Sequence, residues 1–172
     1  MEHAHTSTSQ RSVRVFVATL SDTRDLQNDR SGALIRTLLA ENGHALAGAA
    51  IWREDAGTLR REIDTVLQRV DFDALVMTGG TGIAPRDVTF DLLAALYERP
   101  LPGFGELFRM LSYAEIGSAA YLSRASAGVA RGKVIFSLPG SLGAVRLGMQ
   151  KLLLPELGHV VAELQRSPGG DP

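Results

Sequence analysis

The chain has 172 residues, 45% of them hydrophobic and 22% charged, with a formal net charge of -1; this is the size and balance of one soluble core, not of a disordered chain. A charge so near zero supplies no cationic field to gather nucleic acid or anionic lipid, so neither is expected as a partner. The absence of cysteine excludes disulfides, thiolate zinc sites and a cysteine nucleophile, and leaves chemistry to oxygen and nitrogen groups.

Residues 1–12 (MEHAHTSTSQRS) are polar and have nothing to offset the entropy of ordering, so they read as a disordered arm, with His3 and His5 as composition and not as a metal site. No apolar run reaches the ~18 residues needed to cross a bilayer, and the opening lacks the basic-then-apolar order of a signal peptide, so a cytoplasmic chain without membrane contact is expected. VRVFVATL at 13–20 has the β-branched density of a strand covered on both faces. A polar loop follows, and Asp29 can cap a helix whose Leu34, Ile35, Leu38 and Leu39 lie at helical spacing before Gly43. HALAGAAIW at 44–52 is a weaker strand, because its alanines and Gly48 have little β propensity.

Leu59, Ile63, Val66, Leu67 and Val70 form an apolar stripe of helical period, and Ala74 to Met77 is a short buried strand running into the turn TGGTG. Strands alternating with helices argue for a parallel sheet with right-handed crossovers. A helix is expected over about Thr89 to Tyr97 and another beyond Pro102, whereas Ser118 to Val129, rich in small residues, fits either a strand or an irregular excursion. Lys133 to Leu138 is a strand, Pro139-Gly140-Ser141 a turn, and Leu142 to Leu164 a helix broken near Pro155. The ordered domain is expected to span 13–164, with a flexible tail at 165–172.

In an open parallel sheet, ligands collect beyond the carboxyl ends of the strands. Three loops have that position: Ser21-Asp22-Thr23-Arg24, the segment Thr78 to Asp87, and Pro139-Gly140-Ser141. In TGGTGIAPRD, Gly79, Gly80 and Gly82 permit positive φ and close approach to a phosphate, Thr78 and Thr81 offer hydroxyls, Arg86 offers a charge-assisted bond, and the following helix offers its positive end. A tight turn using glycine only for geometry is the alternative. The pattern is neither GxxxxGK[ST] nor GxGxxG, so those nucleotide mechanisms do not transfer. Asp87 beside an anion site either holds magnesium and takes part in chemistry or caps a helix, and spacing does not separate the two. Glu54-Asp55 could bring a second carboxylate to the same edge, although Asp55 also suits a cap. Arg109 and Arg124 are candidate anion clamps or solvated helix residues; His44 and His159 have no partner at ligand or triad spacing.

The sequence resembles the molybdopterin-binding domain proteins of the MoaB and MogA type over residues 13–164. The resemblance is carried by SDTR at 21–24, DRSG at 29–32, TGGTGIAPRD at 78–87, PGFGELFRMLSYAEIGSAAYLSRASAG at 102–128 and LPGS at 138–141, with FRMLSYAEIG similar to the MoaB branch. It implies a three-layer α/β sandwich with a mainly parallel β-sheet flanked by helices. It also implies a homo-oligomer, trimer or hexamer, and contact with other molybdenum cofactor biosynthesis proteins. The implied activity is transfer of AMP from Mg-ATP to the terminal phosphate of molybdopterin with release of pyrophosphate; the alternative is a binding or carrier protein of the same fold. By position, TGGTG would hold phosphate with SDTR, Arg86 and Pro139-Gly140-Ser141 around it, and Asp87 would match the family's essential aspartate and hold Mg²⁺. Many members have aspartate at the second acidic position; alignment on Leu59 puts Glu54 there, with Asp55 beside it.

Overall fold

The computed structural model describes residues 11–166. The expected arm up to residue 10, including His3 and His5, and the end of the expected tail, 167–172, lie outside the described residues. Six strands form one sheet: β1 (Arg14–Leu20), β2 (Ala45–Trp52), β3 (Ala74–Thr78), β4 (Arg99–Pro100), β5 (Ser126–Ala130) and β6 (Lys133–Leu138), in the order β2-β1-β3-β6-β5-β4. The pairings β1 with β2, β1 with β3 and β3 with β6 are parallel, whereas β5 runs antiparallel to both β6 and β4.

The alternation of side chains along each strand sorts the core into two halves. Val13, Val15 and Val17 join Val76, Val134 and Phe136 under helices α1 (Arg30–Glu41), α4 (Pro102–Ile116), α5 (Leu142–Gly148) and α6 (Leu154–Leu164). Phe16, Ala18 and Leu20 join Leu75, Met77 and Ile135 under α2 (Ala56–Leu67) and α3 (Thr89–Leu96). The result is the expected three-layer sandwich. Both helix starts anticipated from aspartate hold: Asp29 accepts a bond from the Gly32 amide and Asp55 from the Thr58 amide.

The small residues of β2 have a packing reason. Gly48 stands opposite Phe16 at a register shift, and a methyl group there would lie 2.7 Å from the Phe16 ring. The segment of small residues after α4 resolves into a 3₁₀ turn over Gly117–Leu122 and then β5. The break near Pro155 takes the form of a π-helical turn over Met149–Leu153. Pro155 has no N–H for an ordinary i→i−4 bond, and Leu154 donates instead to Met149, five residues back.

Because the chain leaves β1 for β2 on one side and returns to β3 on the other, the sheet order reverses at β1. A crevice opens at such a point, outside the carboxyl ends of the strands.

Candidate functional site

That crevice is a cleft of about 650 Å³. Every parallel strand contributes to it: Ser21, Asp22, Thr23 and Arg24 from the end of β1, Glu54 from β2, Gly79 to Gly82 with Arg86 and Asp87 from β3, and Pro139, Gly140 and Ser141 from β6. Leu20, Leu122 and Ser123 complete the wall. The last two follow from the 3₁₀ turn after α4 folding over the cleft, a tertiary placement with no signature in residue spacing.

The three glycines of the turn serve different ends. Gly79 and Gly80 have φ of +110° and +64°, the left-handed region that other residues enter with strain. Gly82 has no positive φ; a methyl group there would lie 2.6 Å from Asp87 Oδ2, so glycine is required by close approach. Thr78 and Gly79 are tied to the sheet, the Thr78 hydroxyl donating to the carbonyl of Pro139 at 3.0 Å and the Gly79 amide to that of Leu138 at 2.9 Å. Among the described residues, no protein acceptor takes the amides of Gly80, Thr81 and Gly82, which leaves these three donors for an anion. The helix expected to add its positive end, α3, begins at Thr89 and lines no part of the cleft. Ser141 at the start of α5 lines it instead, its hydroxyl capping the Ala144 amide at 3.2 Å.

Asp87 does not cap α3, whose N-cap is Val88 without a side-chain bond. Its Oδ2 accepts the Ala84 amide at 2.8 Å and closes the loop around the Pro85-Arg86 corner. Asp55 is occupied by its cap, and Glu54 is the carboxylate that enters the cleft. Burial pushes the Glu54 carboxyl above its ordinary range, the charges of Asp87 and Asp22 push it further, and Arg86 and Arg24 oppose the shift. Asp22 also accepts the Glu54 amide at 3.2 Å, joining the β1 and β2 loops. The cleft thus sets carboxylates and guanidinium groups around one run of unpaired amides.

Arg109 and Arg124 face away from this cleft. Both line a neighbouring, largely apolar cavity of about 550 Å³ with Phe90, Tyr97 and Tyr121. Arg109 donates to the carbonyl of Ser123 at 3.3 Å. Arg124 donates to the carbonyls of Gly82 and Asp87, pairs with Asp91 at 2.9 Å and lies over the Phe90 ring. It binds the glycine loop from behind. His44 is buried with Nδ1 accepting the Val13 amide, and His159 sits on the surface between Glu156 and Glu163, so neither reaches the cleft.

A doubly covered α/β domain with a glycine-lined cleft of unpaired backbone amides at its strand switch point is the class that fold and site define. Residues 9–159 match the family model described as "Probable molybdopterin binding domain". The chain is 49% identical over 155 residues to molybdenum cofactor biosynthesis protein B of Bacillus subtilis, covering 90% of this chain and 91% of that one. A crystal structure of molybdenum cofactor biosynthesis protein B superposes with a TM-score of 0.89 at 47% identity, covering 92% of this chain and 99% of that one. The tungsten cofactor synthesizing protein MoaB from Pyrococcus furiosus superposes with a TM-score of 0.79 at 34% identity, over 91% and 99%. The chain belongs to the MoaB/MogA family of molybdopterin-binding domains, the molybdenum cofactor biosynthesis proteins. Among the described residues no helix is long and apolar enough to cross a membrane.

Proposed function

We propose that this protein is a molybdopterin adenylyltransferase that joins AMP from ATP to the terminal phosphate of molybdopterin. The observation that carries the reading is the convergence of Glu54 and Asp87 on the cleft that holds the amides of Gly80 to Gly82. Carboxylates beside an anion site repel the anion unless a cation joins them; burial raises the Glu54 carboxyl first, and the nearby charges of Asp87 and Asp22 add to the shift. Magnesium is commonly held by one or two carboxylates with waters and substrate phosphate, and Glu54 and Asp87 offer two carboxylates at this cleft. Bound there, magnesium would neutralise phosphate charge as the two anions are brought together.

The chain's own residues supply placement. The Gly80, Thr81 and Gly82 amides hold phosphate oxygens without needing to reorganise, and Arg24 and Arg86 offset charge at the rim. An oxygen of the molybdopterin phosphate then forms a bond to the α-phosphorus of ATP, the bond from that phosphorus to the β-phosphate oxygen breaks, and pyrophosphate leaves with the electron pair. The contribution is positioning and electrostatics, with no covalent enzyme intermediate. ATP and magnesium make the cytoplasm the compartment for this reaction.

A homo-oligomer, trimer or hexamer, is part of the same proposal. It is supported by α4, whose Leu107, Met110, Tyr113 and Ile116 stand on the surface with 47 to 65% of their area exposed. Other molybdenum cofactor biosynthesis proteins are the proposed source and destination of the pterin.

The test is pyrophosphate release by the protein with ATP, Mg²⁺ and molybdopterin, against the same mixture lacking molybdopterin. Release that depends on molybdopterin supports the transferase; tight molybdopterin binding with no release above background assigns a carrier.

A further inference from the structure

The segment Asp29 to Gly32 lies beside the cleft without lining it. Its Asp29 carboxylate is fully buried and ringed by donors. Oδ1 accepts the Gly32 amide at 2.9 Å and the Ser31 hydroxyl at 3.3 Å; Oδ2 accepts the Thr19 hydroxyl at 2.9 Å and is paired with Arg36 at 3.5 Å. A methyl group on Gly32 would collide with Asp29 Oδ2, so glycine is the residue that fits above this carboxylate.

An N-cap explains Asp29 and its bond to Gly32. It does not explain Ser31, which is 1% exposed and accepts a 3.1 Å hydrogen bond from Nη1 of Arg24. An ionised carboxylate only accepts, so the Ser31 proton points inward to Asp29 and its lone pairs face outward to the guanidinium. Among the described residues, the other N–H groups of the Arg24 guanidinium meet no protein acceptor. A direct ion pair with Asp29 would have fixed Arg24 and also cancelled its charge. The interposed hydroxyl fixes it and leaves the charge intact, while Arg36 answers Asp29.

We infer that Ser31 is a positioning residue which, oriented by the buried Asp29, holds the guanidinium of Arg24, free of any direct ion pair among the described residues, at the cleft for a phosphate or pyrophosphate group. The inference rests on the reading of the cleft as an anion site. It accounts for each of Asp29, Ser31 and Gly32 by a separate contact.

The experiment is a double-mutant cycle on the full chain, read by calorimetric titration with inorganic pyrophosphate and Mg²⁺, using Ser31→Ala, Arg24→Ala and the pair. Ser31→Ala weakens binding roughly fivefold, the loss of one net hydrogen bond, and in the Arg24→Ala background it has no further effect. Arg24 is exposed, so its substitution leaves the fold intact and keeps the cycle readable if Ser31→Ala lowers stability. Additive losses overturn the relay and leave the cleft standing. Absence of pyrophosphate binding by the unsubstituted protein overturns the reading of the cleft and the anion role of Arg24 together. Side-chain nitrogen NMR tests the tether without a ligand: the Arg24 guanidinium is restrained, Ser31→Ala frees it, and an unchanged signal sinks the relay.

Discussion

Arg124 reaches across from the end of the 3₁₀ turn and donates from Nε to the carbonyl of Gly82 at 2.8 Å. The same guanidinium donates to the carbonyl of Asp87, so the chain on both sides of the Ile83 to Arg86 corner is fixed to one side chain. Arg124→Ala is expected to cost about 2 kcal/mol in urea unfolding, the worth of a charged donor to partly buried acceptors. It should also raise the KM for ATP, because the Gly80 to Gly82 amides lose their support. Arg124→Lys does not restore either quantity, since one ammonium cannot span the planar set of acceptors. Full recovery by lysine would show that charge alone is needed.

Asp87 has a structural contact and a proposed chemical task, and asparagine separates them. The side-chain amide oxygen of an asparagine in its place can still accept the Ala84 amide, so Asp87→Asn keeps the loop closed while removing the charge. Pyrophosphate release is expected to fall by about a hundredfold or more, the scale of losing one electrostatic group in a transition state, with the melting temperature nearly unchanged. Robust turnover by the variant would remove Asp87 from the chemistry.

Much of the frame is readable in the sequence because it depends on local periodicity. The strand of valines at 13–17, the stripe from Leu59 to Leu67 and the caps Asp29 and Asp55 each reflect interactions within one element, whereas Val70, expected to continue that stripe, lies beyond the end of α2 and is exposed. What escapes is set by tertiary neighbours. Arg99–Pro100 has no apolar pattern, and it becomes a strand because Val129 and Gly128 lie beside it. Arg109 and Arg124 could be recognised as cations but not aimed, since the side of the 3₁₀ turn they face follows from how α4 packs against β5. Gly82 illustrates the same limit: its need for glycine comes from Asp87 folding back, not from its own φ.

Gly80 tests the turn as geometry. Its φ of +64° disfavours a side chain, and a methyl group would collide with Thr89 Oγ1, a buried hydroxyl without a hydrogen-bond partner among the described residues. Gly80→Ala is expected to destabilise by roughly 1 to 3 kcal/mol. Removing the hydroxyl relieves the collision but not the backbone strain, so Thr89→Ala combined with Gly80→Ala should lose less than the sum of the two changes in denaturant titration. Simple additivity would mean that the turn moves to avoid Thr89.

Glu54 gives a pH test with a defined sign. Its carboxyl is held above the ordinary glutamate range, so the neutral form is favoured in the folded chain. Its contribution to stability is full below the unfolded-state value and is lost as pH rises through the folded one. Glu54→Gln should therefore raise the melting temperature at neutral pH in the absence of ligand, and the gain should vanish in acid. Under the proposed function, catalysis is expected to run the other way: magnesium bound beside Glu54 would require the ionised form, so activity should fall as pH drops through the raised value, and at a higher pH than for an unperturbed glutamate. A melting temperature lowered at neutral pH by Glu54→Gln contradicts the burial and repulsion on which this rests.

The surface of α4 offers the test of assembly. Met110 and Tyr113 are each more than 60% exposed, one turn apart, and neither supports the core of its own chain, so both can be changed without unfolding it. Within a packed oligomer they would be desolvated, and glutamate at either position would leave a buried carboxylate without a partner at a cost of roughly 3 to 5 kcal/mol. Met110→Glu with Tyr113→Glu is expected to shift the sedimentation mass from trimer or hexamer to monomer while the far-ultraviolet circular dichroism stays unchanged. If the double variant keeps the mass of the unsubstituted protein, α4 is not the assembling face. If both sediment as monomers, the apolar surface serves another partner and the proposed oligomer is wrong.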